Sequence, residues 1–151
     1  DIKRFPNKKA VEAQRDDLIR ADLSDMDLSR IELRGANLSY ANLSYANLSY
    51  AKLDGAIVLD ANLADSHLND GNFSGANFSG ADLRNANLNR ANFTKASLNG
   101  AYFGGAFMTQ VILHDASLTA TDFSRTRTFD NICKDYCKKC ETVMNLWHKF
   151  R

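Results

Sequence analysis

Three cysteines crowd the end of the chain, Cys133, Cys137 and Cys140, with His148 eight residues beyond the last of them. These are residue types that could hold a metal, and their spacing superficially resembles an iron–sulfur ligand run or three-quarters of a zinc site. The same positions, however, fall on one helical stripe with Tyr136, Val143, Met144, Trp147 and Phe150. On such a stripe reduced cysteines behave as small apolar side chains that pack against a core. A disulfide of unknown pairing among them needs a break in the helix, because these spacings strain the bond in a regular one. Packing is therefore the first reading, a disulfide the second, and no metal is expected.

His67, with Asp65 and Asp70 close by in sequence, and His114 are the other histidines. Neither has a cysteine or carboxylate at catalytic spacing, and no phosphate loop, nucleophile elbow or paired-cysteine zinc pattern occurs. The expectation is a protein that is not an enzyme and carries no cofactor.

What must position all of these side chains is a repeat. From Ala21 to Arg125 one five-residue unit, small–polar–Leu/Phe–polar–polar, recurs twenty-one times without insertion or deletion. A period of five fits neither the 3.6 of a helix nor the 2 of a strand. In a straight strand it would send each apolar side chain to the opposite face of its predecessor. The spacing holds only if every unit contains its own bend, and a chain that bends at every unit winds into stacked coils. The central residue, from Leu23 to Phe123, then points inward together with the small residue two positions before it. Phe73 follows Gly71, a larger centre matched by a smaller neighbour, as a constant interior volume requires.

Charge adds little. The chain has 19 basic and 18 acidic residues, with a repeat body of about −4 between mildly basic ends. There is no dense basic stripe for nucleic acid, so no direct nucleic-acid binding is expected. No run approaches the roughly 18 apolar residues of a membrane span. The chain starts at Asp1 without a Met. The compartment is left open: the expectation is a soluble chain, in the cytoplasm or across a membrane after removal of a targeting segment.

The units Ala36-Asn37-Leu38-Ser39-Tyr40, Ala41-Asn42-Leu43-Ser44-Tyr45 and Ala46-Asn47-Leu48-Ser49-Tyr50 resemble the A(D/N)LXX motif of the pentapeptide repeat family. The resemblance covers residues 21–125, with Asp16–Arg20 as a degenerate leading unit. It implies an all-β solenoid, a right-handed quadrilateral β-helix with four repeats per coil and about five coils. Met26 and Ile31 early, and Val111 and Thr121 late, replace the small inward residue and read as a rod that widens where caps fit. The division expected is an N-terminal cap over 1–20, a β-helix over 21–128 and a helical cap over 129–151. Asn7 is a helix N-cap before Lys8–Arg15, and Asp130 or Asn131 precedes a second helix reaching about Lys149. The family resemblance keeps the C-terminal disulfide open, since some plant thylakoid-lumen members have one.

Function is sought where the pattern lapses. Tyr102, Phe107 and Ile112 replace the usual Asn or Asp on three successive sides of one coil, where the C-terminal helix or the chain leading into it could fold back over Tyr102 and Phe107. Ile57 and Leu59 flank Val58, and Tyr40, Tyr45 and Tyr50 stand at successive corners. These eight residues form the expected interaction surface for a protein partner of unknown identity. The first reading is a rigid, non-enzymatic scaffold. The second, implied by the family, is a DNA-mimicking modulator of gyrase, as a homodimer through the C-terminal helix. A lumenal or periplasmic protein of unspecified task is the third.

Overall fold

The computed structural model describes residues 3–127. Within each repeat the small residue and the Leu, Phe, Val or Met two positions later share a face of a short extended segment. Every central residue from Leu23 to Phe123 is buried. The chain then turns: the central carbonyl accepts the N–H three residues on, as in Ala41 to Leu38 (3.0 Å) and Ala46 to Leu43 (3.1 Å). The fifth residue of the unit is left-handed, with positive φ at every fifth position from Arg20 to Arg125, 16 of them non-glycine and 6 glycine. That is the signature of a type II turn repeated at each corner.

After four such turns the chain lies on itself. Parallel bridges link each second-position residue to the one twenty residues on, from Asp22 with Asn42 to Phe107 with Arg127. The bonds alternate in direction, Asn42 N–H to the Ala21 carbonyl at 2.9 Å and Leu38 N–H to the Ile57 carbonyl at 2.7 Å. The preference for Asn or Asp at the second position has a local cause. Its side-chain oxygen accepts the N–H two residues later, at 3.0 Å for Asn37 and Ser39 and 2.9 Å for Asn92 and Thr94. This satisfies a turn donor that the coil-to-coil bonds leave over.

The interior is one apolar column. Phe73 stacks on Phe93 with ring centroids 5.0 Å apart, and both meet Phe78 edge-on. A Cβ at Gly71 would lie 2.5 Å from the Phe73 ring, so the small residue is set by the large one. Where hydroxyls enter the column they are paired: Ser66 donates to the Leu63 carbonyl (2.6 Å) and Thr121 to that of Leu98 (2.8 Å).

At the N-terminal end, helix α1 (Lys8–Ala13) begins at Asn7, whose side chain accepts the Ala10 N–H at 3.1 Å. Phe5, Val11 and Leu18 are buried in the same core as the repeats. Met26 is partly buried against that core, and Ile31 fully. These larger inward residues therefore sit in the coil nearest α1 and the segment before it. Val111 and Thr121 are likewise buried, in the last coil described.

Candidate interaction surface

Because coils repeat every twenty residues, outward side chains form columns at that offset, and surface neighbours are distant in sequence. Corner residue Arg20 donates its N–H to the Ser39 carbonyl, and Tyr40 donates to that of Leu59. Ile19, Ser39 and Leu59 therefore occupy one column beside the corner of Arg20, Tyr40 and Asp60. Ile57 lies on the side that runs into that corner, between Asn37 and Asn77. Ile19 (45% exposed), Tyr40 (51%) and Ile57 (40%) thus gather on one edge with Leu59, which is half-buried rather than fully outward. Ile19 was not among the sequence candidates. Its twenty-residue offsets to Ser39 and Leu59 are the signal that finds it.

The three corner tyrosines differ in their surroundings. Tyr50 belongs to a corner column: Arg30 lies over its ring at 4.8 Å, Asp70 follows it in the next coil, and Arg90 grips Asp70 through Nε and Nη2 at 2.6 and 2.7 Å. Arg90, then Asn69, hold the Asp70 carboxyl down at about 2. Tyr40 lies beneath Arg20 at 5.6 Å. Tyr45 is the most exposed, at 61%, and its column neighbours Asp25 and Asp65 are both acidic.

Tyr102, Phe107 and Ile112 are exposed but lie in three different columns, continuing Asp82, Asn87 and Asn92 respectively. They do not converge on one surface. Phe107 cannot serve the turn donor that an Asn would take. Asn89 of the preceding coil accepts the Thr109 N–H instead, at 2.9 Å. Arg127 lies over the Phe107 ring at 5.3 Å.

Cys133, Cys137 and Cys140, and the helix expected to carry them, lie outside the described residues. His67 is exposed in the Asn47–Asn87 column, and His114 contacts Asp115 at 3.2 Å. Among the described residues no group of His, Cys, Asp and Glu could hold a metal ion. No helix among them is long and apolar enough to cross a membrane.

The stacking agrees with what known proteins show. The family model for pentapeptide repeats matches residues 17–55, 59–94 and 91–127, in eight copies. The chain belongs to the pentapeptide repeat family. Among solved structures it is similar to a pentapeptide repeat protein of the Arabidopsis thaliana thylakoid lumen, at 29% identity and a TM-score of 0.53, over 76% of this chain and 72% of that one. A pentapeptide repeat protein from Nostoc PCC 7120 is 31% identical over 59% of this chain and 69% of its own, with a TM-score of 0.45. One from the cyanobacterium Cyanothece 51142 is 38% identical over 64% and 63%, with a TM-score of 0.34. No curated protein sequence matches the chain. Proteins of the pentapeptide repeat family are structural repeat proteins.

Proposed function

We propose that this pentapeptide repeat protein is a rigid, non-enzymatic scaffold that binds another protein along the edge formed by Ile19, Tyr40, Ile57 and Leu59. What supports this is convergence: residues far apart in sequence, each an apolar departure from a polar position, meet on one edge. Singly exposed apolar residues are ordinary, whereas a contiguous group rimmed by polar side chains is a feature of interaction sites. The rod is already ordered by coil-to-coil bonds, so docking costs little conformational entropy. In the same reading residues 1–20 cap one end of the β-helix, and residues 129–151 the other.

A DNA-like acidic surface is less well supported. Glu32, Asp54, Asp70 and Asp82 are each paired with a cation, Lys52, Arg34, Arg90 and Arg84 respectively. The test compares wild type with Ile19→Ser/Tyr40→Ser/Ile57→Asn as bait in an extract of the native host. Tyr50 is left in place because Arg30 lies over its ring. Stability should change by no more than about 1 kcal/mol, while the proteins retained by wild type are lost. If the folded variant retains the same partners, this edge is not the docking site.

A further inference from the structure

One corner of the rod has a charge sequence that is complementary to its own reverse. Its column runs Asp25, Tyr45, Asp65, Asn85, Gly105, Arg125, joined by N–H bonds from each corner to the coil that follows. The early end is acidic and carries Tyr45, the most exposed aromatic side chain among the described residues. Asp22 and Asp27 stand on the flanking sides, and Lys8 approaches Asp27, its Nζ bonded to the Ser29 carbonyl. The late end is basic and indented. Gly104 and Gly105 leave an open notch there, with Arg84, Asp122, Arg125 and Arg127 around it. At Gly105 φ is +74°, and a Cβ there would meet Asn85 Oδ1 at 2.5 Å, so a side chain at this corner would have to displace that amide.

We propose that two copies of the chain associate side by side and antiparallel along this corner, the Tyr45 of each seated in the Gly104–Gly105 notch of the other. Reversing the column sets Asp25 against Arg125, Tyr45 against Gly105 and Asp65 against Asn85, with Arg84 beside that central pair. The five coil steps from Asp25 to Arg125 span about 24 Å, at the ~4.8 Å spacing of bonded strands. Every contact occurs twice, as an isologous two-fold interface requires. The aromatic ring enters a notch beside Arg125, whose guanidinium can lie against its face, and the rim pairs opposite charges. An edge-to-edge contact is narrow, so the dimer is reversible and weakened by salt. The inference is independent of the scaffold reading, which uses a different corner.

The test is sedimentation of the full chain over a concentration series at low and high salt. Wild type should dimerise at low salt and dissociate as salt rises. Asp25→Arg and Arg125→Asp should each weaken the dimer by about tenfold or more. Mixing the two variants should restore it, because in the mixed dimer each reversed charge faces its opposite. Tyr45→Ser should weaken it with unchanged melting. A wild type that stays monomeric at low salt, whether the notch holds residues 128–151 or nothing, overturns the proposal. A dimer indifferent to both charge reversals overturns it as well.

Discussion

At the scale of the residue, the fifth position of each unit carries a cost that its side chains conceal. All of these positions are left-handed, yet most bear a Cβ, among them Arg20, Asp60, Lys95 and Ala120. Asp and Asn tolerate that conformation through local hydrogen bonds, but alanine has no such compensation. Ala120, exposed with φ +56°, should therefore give way to glycine with a gain of about 0.5–1 kcal/mol, read from chemical denaturation. No gain would mean that the relief of strain is matched by the extra freedom glycine brings to the unfolded chain. The left-handed turn was hidden in the sequence because only some units place glycine there. The Asn or Asp at the second position was conspicuous as a pattern, but its reason is a bond to the N–H two residues later, and residue types alone do not display that bond.

At the scale of the repeat, the sequence was far more legible. Small-then-large spacing gave the inward pair, and Gly71 with Phe73 gave the compensation between them, because volume in a narrow column is conserved locally. Contact between Gly71 and the Phe73 ring makes this measurable. Gly71→Ala should destabilise by about 1–3 kcal/mol, since the ring is held between Phe93 and Phe78 and cannot swing aside. Adding Phe73→Leu to Gly71→Ala should recover part of that loss, and the double variant should be more stable than the sum of the single effects. Strict additivity would show that the two sites do not share one space. The interaction edge was only partly legible at this scale. Tyr40, Ile57 and Leu59 stood out as departures, whereas Ile19 fell in a degenerate leading unit, and its neighbours are set by the next coil rather than the next residue.

At the scale of the whole rod, segment sums of charge mislead, because surface neighbours are twenty residues apart. The body reads as weakly acidic, yet its charges are arranged in columns such as Arg30–Tyr50–Asp70–Arg90, alternating down a corner. In a stack where each coil contacts only its neighbours, such contacts tie coil to coil in pairs, Arg30 to Tyr50 and Asp70 to Arg90. Its pH dependence follows from Asp70, whose carboxyl is held at about 2 in the folded rod, first by Arg90 and then by Asn69. An unfolded aspartate titrates near 3.9. A depressed folded value contributes stability that is complete above the unfolded value and lost as pH falls through the folded one. Wild type should therefore exceed Asp70→Asn in stability at neutral pH by a modest margin, since the pair is near the surface. That margin should shrink as pH drops below about 4 and be lost only as pH falls through and below about 2. Asp22 and Asp27, lowered chiefly by hydrogen bonds from Ser24 and Ser29, and Glu32, lowered by Lys52, add to the same acid limb in both proteins. The difference between the two stability curves, rather than the midpoint of either, isolates the Asp70–Arg90 pair. A difference that stays constant from neutral pH to 2 would show that Asp70 acts through shape alone and not through its charge.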